Sequence, residues 1–463
     1  MRRRHPAAIV AVLAAAGISV SMMQTFVIPL VPELPALLGT SAADASWVIT
    51  ATLLTAAVAT PVFGRLGDMY GPKRILLVCA ALLTAGSLLT AMTSALVPVV
   101  LGRALQGFGI PIIPLGISVM RSAVPAHRVG TAMSLMSASL GVGGALGLPL
   151  SAVIADHFDW HALFWFAAGL GTASGLLFAA LVPNLPPVSA DRFDALGTLG
   201  LSAGLVTLLL GITKGGAWGW TSPTTLIMFG TSAVVFTLFA WWQLRTASPI
   251  VDLRTTVKRP VLTTNLASIA VGFALFALSL IGPQVLELPA GTGYGLGLTM
   301  LEAGLWLAPG GLAMMVTSPL AARVAAGRGP RFTLIAGCLI VSASYLLGLL
   351  LIAAPWQVCL FNVLVSVGVG FAFSSMPALI NAAVPISETA AANGINALAR
   401  SLGTSLSSAV VGAVLAGLTV VGPDGHSYPT LTAVRVALLI AATMAAVAAG
   451  LAALIPLPAG SER

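Results

Sequence analysis

Long runs of apolar residues, each closed by charge, proline or glycine, recur along the whole chain. A bilayer core about 30 Å thick is crossed by about 20 residues of α-helix rising 1.5 Å each. Runs of that length occupy residues 7–30, 44–64, 75–93, 97–120, 129–155, 160–182, 195–213, 222–244, 261–286, 300–322, 332–353, 356–380, 391–420 and 431–456. The pattern predicts an all-α integral membrane protein with 14 crossings. The first run follows Arg2, Arg3 and Arg4 in the manner of a signal peptide, but its length and the similar runs behind it make it the first crossing.

Composition agrees. Apolar residues make up 58% of the chain and charged ones 7%, with a mean hydropathy of +1.03, whereas a soluble domain carries about a quarter charged residues. With both termini in the cytoplasm, all but Arg103, Lys214, Arg400 and Arg435 of the 21 basic residues fall on the cytoplasmic side, and the acidic residues show no bias. The net charge of +8 is therefore a topology signal that requires no nucleic acid. Cys79, Cys338 and Cys359 sit inside apolar runs without ligand spacing and read as small hydrophobes, so no metal or cofactor is expected. The tryptophans gather near run ends as interfacial anchors.

The chain also resembles itself. A shift of 258 positions lays Pro61, Arg65, Gly71, Pro72 and Lys73 on Pro319, Arg323, Gly329, Pro330 and Arg331. A shift of 260 lays Ala123, Val124, Pro125, Gly143 and Leu146 on Ala383, Val384, Pro385, Gly403 and Leu406. Runs one to six then match nine to fourteen, as in parallel repeats about an axis along the membrane normal. The expected units are residues 1–183, an inserted helix pair with its connections at 184–259, and residues 260–463. Asp191 and Arg192 fall in the first polar break between them.

Between the second and third runs stands GRLGDMYGPKR, residues 64–74, read as a short charged loop. Gly64, Arg65, Asp68, Gly71, Lys73 and Arg74 resemble the loop signature of major facilitator superfamily transporters, with Pro72 in place of a basic residue. The two extra helices, GGAWGWTSP (215–223) and SPIVDLR (248–254) resemble the fourteen-helix drug:proton antiporter branch. The resemblance implies a major facilitator fold of two six-helix halves plus two inserted helices. It also implies that Asp68 meets the N-terminus of a helix from the opposite half and latches the outward-open state. The second copy has Ala326 at the matching place.

RALQG, with Arg103, Gln106 and Gly107, resembles the family's R-x-x-x-G signature. Two readings stand for Arg103: a snorkelling side chain in the outer third of the bilayer, or, as the resemblance implies, a residue that biases a nearby acid in proton transfer. Arg400 lies too deep to snorkel, and a backbone carbonyl, Glu388 or an anionic substrate group are its candidate partners. Gly143, Gly147 and Pro149 stand where the antiporter signature falls. The proline is one place late and the glycine pair missing, so close helix packing survives while the signature's link to export direction is weakened, and both a packing helix and an antiporter element stand as readings. Where the branch commonly carries an acid in the first helix, this chain has Met23, Gln24 and Thr25. Among acids at run ends, Glu33 carries no assigned role, Asp44 with Ser41 reads as a capping box for the second helix, and Glu302 as a first-turn acid of the tenth.

With no carboxylate near a helix centre, neutral, zwitterionic or anionic amphiphiles suit the chain better than permanent cations. Met23, Gln24, Thr25, Phe26, Asn265, Asn396 and Arg400 are the candidate cavity residues. No lysine has the surroundings of a phosphate-cradling loop, so transport is expected to be secondary. One proton crossing about 100 mV with a pH difference of about one unit could sustain roughly a 500-fold gradient of a neutral solute. A membrane-embedded enzyme is the rival class, and its best cluster, His157 and His161 with Asp156 and Asp159, reads as a polar connection. The sequence thus predicts a monomeric exporter of drugs or secondary metabolites in the bacterial cytoplasmic membrane, contacting lipid, its small-molecule substrate and protons. Uptake or facilitated exchange of a metabolite is the alternative.

Overall fold

The computed structural model describes residues 6–27, 30, 34–187, 193–385, 388–421 and 427–456. Arg2, Arg3, Arg4, Glu33, Asp191, Arg192 and the side chain of Asp156 lie outside the described residues. Fourteen helices are long and apolar enough to cross a membrane. They are α1 (Pro6–Thr25), α2 (Trp47–Tyr70), α3 (Pro72–Ala91), α4 (Leu96–Ala123), α5 (Ala126–His157), α6 (His161–Leu181) and α7 (Ala195–Trp218). The rest are α8 (Pro223–Arg245), α9 (Arg259–Glu287), α10 (Met300–Arg328), α11 (Pro330–Gly348), α12 (Pro355–Ala383), α13 (Thr389–Gly417) and α14 (Leu431–Ala453). Every one overlies a run read from the sequence.

Three local features depart from that reading. The segment 64–74 is not a loop: α2 continues through Tyr70, the chain reverses at Gly71 alone, and Pro72 opens α3. Gly71 has φ +91°, a conformation glycine adopts without a Cβ penalty, and proline at a first helical position forfeits no hydrogen bond. Gly329 (φ +86°) and Pro330 repeat this junction between α10 and α11. Second, α4 is helical over Leu96–Gly107 and Ile112–Ala123 but interrupted between them. Pro111 has no N–H and its ring crowds the carbonyl four residues back, and the intervening turns use the shorter bonds Gly109 N to Gln106 O (2.9 Å) and Ile110 N to Gly107 O (3.2 Å). Third, α13 stops at Gly417 and a small antiparallel hairpin follows, β1 (Thr419–Val421) with β2 (Ser427–Pro429), where Val420 faces Tyr428. Tyr294 donates its hydroxyl to Pro429 O at 2.6 Å, tying that hairpin to the α9–α10 connection.

Apolar burial does not draw helices together within lipid, so close approach of backbones matters more than side-chain bulk. A Cβ on Gly86 would lie 2.4 Å from Gly102 O, and one on Gly102 2.7 Å from Gly86 O, so α3 and α4 touch backbone to backbone. Gly337 and Gly368 do the same for α11 and α12, each 2.7 Å from the other's carbonyl. Gly143 brings α5 onto α1 beside Ile18 O, and Gly403 brings α13 onto α9 beside Ile269 O. The recurring contacts define two six-helix halves, α1–α6 and α9–α14.

The inserted helix α7 packs against both halves through a cluster with Ala57 and Val62 of α2 and Leu398 of α13, to which it contributes Leu201, Leu205 and Leu209. Its partner α8 lies outermost and exposes Leu226, Ile227, Val234 and Leu238. Asp194 joins the pair: it caps α7 at Gly197 N (2.8 Å) and accepts from Trp242 Nε1 (3.0 Å) and Gln243 Nε2 (2.7 Å).

Candidate functional site

The halves meet along two seams. In one, α5 lies on α10: a Cβ on Gly311 would fall 2.2 Å from Ala145 Cβ, and one on Gly304 3.2 Å from Pro149 N. In the other, α2 lies on α13, with Gly64 beside Ala390 O and Gly394 beside Thr60 O. The second seam ends where the α2–α3 and α10–α11 connections gather the basic residues, hereafter the basic end.

Polar groups concentrate there. Asp68 is 1% exposed and accepts from Ala391 N at 3.0 Å and Ala390 N at 3.4 Å, in the first turn of α13. Those amides have no intrahelical partner, and the helix dipole favours an anion beside them. From the other side Arg121, near the end of α4, donates to Thr389 Oγ1 and, at 2.9 Å, to Asn381 O in the last turn of α12, where a cation is favoured. Asn393 Nδ2 continues the network to Asn381 Oδ1 (2.7 Å) and Thr389 O (2.8 Å). Sequence reading placed Arg121 only among the topology charges. The signal available was the repeat itself, because the shift of 260 that aligns Pro125 with Pro385 puts Arg121 opposite Asn381, the residue it binds.

Beneath this junction the α8–α9 connection forms the short helix Leu253–Thr256, capped by Asp252. A cavity of about 160 Å³ opens between it, α2 and α13, lined by Arg65, Asp252, Thr255, Glu388 and Ile395. Burial, and then the charge of Asp252, hold the Glu388 carboxyl above the ordinary glutamate range against the opposing pull of Arg65 and Lys258. Lys73 donates to Ala179 O (2.8 Å) near the end of α6, and Arg74 is exposed.

Midway along the bundle a narrow crevice of about 10 Å³ lies between the halves, lined by Ile113 and Ile117 of α4, Ser137 of α5, and Asn393, Asn396 and Arg400 of α13. Asn396 Nδ2 donates to Asn265 Oδ1 (3.0 Å) and Ser268 Oγ (2.6 Å). The Arg400 guanidinium lies 4.8 Å from the Phe373 ring centroid. Glu388 is not its partner: that side chain faces the basic-end cavity, about 18 Å along the chain axis at 1.5 Å per residue.

Several expected roles change. Arg103 is 2% exposed and does not snorkel. It donates to Gln106 Oε1 (2.6 Å), Val48 O (3.2 Å) and Met23 O (3.4 Å), and Gln106 passes the network to Ser87 (2.9 Å), so four helices of one half converge on it. Carbonyls and an amide surround it, and no acid among the described residues is bonded to it. Gly107 is the contact of α4 with α2, beside Thr52 O. Met23, Thr25 and Phe26 do not line the crevice. Met23 O accepts from Arg103, Thr25 Oγ1 fills the space above Gly147, and Phe26 O accepts from Ser151 at 2.7 Å. Their polar atoms serve helix packing because Gly143 and Gly147 bring α5 that close to α1. Gln24 is half-buried. Ser41 and Asp44 form their box on the short helix Ala42–Ala45 ahead of α2, not on α2 itself, while Thr299 and Glu302 cap α10 reciprocally. His157 bonds Val153 O and His161 bonds Asp159, Ser94 and Thr93, so the two rings do not converge.

Two pseudo-equivalent helical halves meeting along two seams around a central crevice are the architecture of a transporter spanning a membrane. The chain belongs to the Major Facilitator Superfamily, whose family model matches residues 13–408. It is 27% identical over 379 residues to the multidrug resistance protein Stp of Mycobacterium tuberculosis, covering 80% of this chain and 68% of that one. It is 26% identical to the lincomycin resistance protein LmrB of Listeria monocytogenes over 65% of this chain and 63% of that one. The uncharacterized transporter YcnB of Bacillus subtilis is 26% identical over 95% and 93%. Among solved structures, the human organic anion transporter MFSD10 superposes with TM-score 0.68 at 14% identity over 96% of this chain and 99% of that one. The proton:xylose symporter XylE also gives 0.68 at 14% identity, over 98% and 96%. At that identity the likeness is one of fold. The protein is a multi-pass membrane transporter with a major facilitator fold.

Proposed function

We propose that the chain exports amphiphilic small molecules, drugs or secondary metabolites, from the bacterial cytoplasm by alternating access in exchange for protons. The basic end is cytoplasmic in this reading, as are both termini. Residues 1–183 and 260–463 rock about the crevice as the two halves of a monomer, with 184–259 bracing the α2–α13 seam. The observation that carries the reading is Asp68 bonded to the Ala390 and Ala391 amides of the opposite half. Such a bond, from a carboxylate to the free amides of a helix terminus, can break and re-form in each cycle while Arg121 adds a second contact of the same kind. Relatives named for multidrug and lincomycin resistance support export.

The test is drug susceptibility of an efflux-deficient bacterial host expressing the chain, beside Asp68→Asn and Arg103→Ala at matched membrane levels. Protection by the wild type that both variants lose is the expected result. Increased sensitivity of the host to the same panel would reverse the direction and leave uptake as the function.

A further inference from the structure

We infer that the transported amphiphile carries an anionic group, a carboxylate, sulfonate or phosphate, and that Arg400 is the residue that reads it. The inference rests on the transport reading above and names the substrate class of its crevice. Arg400 stands about 16 Å into α13, counted at 1.5 Å per residue from Thr389, too deep for its side chain to reach either interface. A guanidinium stays protonated in a protein and carries five N–H donors. What faces it is the Phe373 ring, which answers the charge but accepts no such bond in the plane of the fork. Among the described residues no carboxylate pairs with it.

The crevice's two asparagines cannot do this work, because their amide donors are committed, and Ser137 offers a single neutral hydroxyl. Asn396 Nδ2 gives both protons to Asn265 and Ser268. Asn393 Nδ2 gives both to Asn381 and Thr389. Arg400 is therefore the charged donor in the crevice, and it is a planar fork suited to bidentate binding of an anion. At about 10 Å³ the crevice is closed around Arg400 in this conformation, and the opposing Ile113 and Ile117 are the apolar walls that the rest of an amphiphile would meet when it widens. Backbone packing holds the residue in place: a Cβ on Gly272 would lie 2.5 Å from Arg400 O, so α9 fixes the height of this turn. A permanent cation entering the same crevice would meet like charge and no carboxylate.

The experiment uses the purified full chain and three tritiated probes with one naphthyl skeleton: naphthylacetate, its methyl ester, and naphthylethylamine. Scintillation-proximity binding is measured first, then flux in proteoliposomes. The wild type is expected to bind naphthylacetate at least about tenfold more tightly than the ester, the factor typical of a hydrogen bond to a charged group. Arg400→Gln should erase that ratio, and Arg400→Lys should keep part of it, since a point charge lacks the fork. A membrane potential negative on the cytoplasmic side should accelerate outward flux of the carboxylate more steeply than that of the ester, since proton entry moves one charge per cycle with the ester and the anion adds a second. Equal or tighter binding of the ester or amine by the wild type, or no carboxylate binding up to millimolar concentration, overturns the inference whether or not the variants fold. Carboxylate preference without flux of any probe would sink the export reading and leave the assignment of Arg400 standing. Flux of all three probes at equal rates, unchanged in Arg400→Gln, would do the reverse.

Discussion

The two seams between the halves occupy equivalent places in the repeat and are built from different physics. Where α5 meets α10, Gly141, Ala145, Gly304 and Gly311 let the backbones touch from mid-bundle outward, with no ionisable group among these contacts. Where α2 meets α13, glycines also bring the helices close, but the seam ends in Asp68, Arg121 and the exposed amides and carbonyls of two helix termini. The first is held by shape, insensitive to salt and pH. The second is held by charges against partial charges, which water can replace at modest cost. A half-turn of repeat symmetry therefore produces a steric joint on one side and an electrostatic clasp on the other, and the asymmetry originates in single positions such as Asp68 against Ala326.

The sharpest way to break the contrast is Gly311→Leu. A side chain there has backbone and Ala145 within 3 Å, overpacking of that kind costs about 1–3 kcal/mol or more, and neither neighbour can yield. Loss of the monodisperse peak in fluorescence-detected size exclusion is expected, and a normal peak with normal transport would show that the joint is not tight. Next comes the clasp. Arg121→Ala removes charge-assisted bonds worth about 1.5–3 kcal/mol before water replaces them, and Asp68→Asn removes a helix-terminus interaction of about 0.3–1 kcal/mol. Both proteins should fold normally but exchange the amides of the peptide starting at Thr389 faster in hydrogen–deuterium exchange. Unchanged protection in both would deny the clasp its role.

A smaller effect concerns pH. Glu388 is held above its ordinary value near 4.5 by burial and by Asp252, so the closed, folded state binds its proton more tightly than the unfolded chain does. That contribution is complete below the ordinary value and is lost as pH rises through the raised one. Wild type and Glu388→Gln should melt together in acid, and the wild type should fall progressively below the variant toward neutral pH. Parallel melting curves at every pH would refute this. The smallest change should follow Lys214→Met, which frees α7 from Ser46 and from the Trp47 ring 4.5 Å away at the far end of the same seam. Lys214 is 5% exposed but lies at the end of its helix; a cation–π contact contributes about 0.5–1 kcal/mol, rising to about 2 where it is desolvated, and the expected drop in thermal stability is a few degrees, with the amides of α13 unaffected.

The crossings were legible because lipid leaves a long helix little alternative: an apolar run of the right length has to satisfy its own backbone. The repeat was legible too, and its offset is realised in matched backbone conformations at Gly71 and Gly329. What escaped were features decided by contacts distant in sequence. Arg121 looks like any cytoplasmic arginine until α12 and α13 are brought beside it. Arg103 looks interfacial when depth is counted from the end of its run, because counting ignores the three helices that close over it. Thr25 and Met23 look like cavity residues because the pattern shows their polarity and polarisability but not the glycines opposite. Most of β1 was absorbed into a helix because the apolar run 391–420 carries on through Leu418 and Val420 without a break.

The junction at Gly71 has a mechanical consequence. With one residue between α2 and α3, the linkage has two rotatable torsions and no slack, and Pro72 removes one of the next pair by fixing its ring. Two rods joined by so short a pivot cannot slide past one another or separate at that end; a displacement of the end of α2 is passed directly to the start of α3. Gly329 and Pro330 set the same constraint on α10 and α11. Each half then carries the same short pivot at the basic end, which joins the helix that bears a seam to its neighbour without slack.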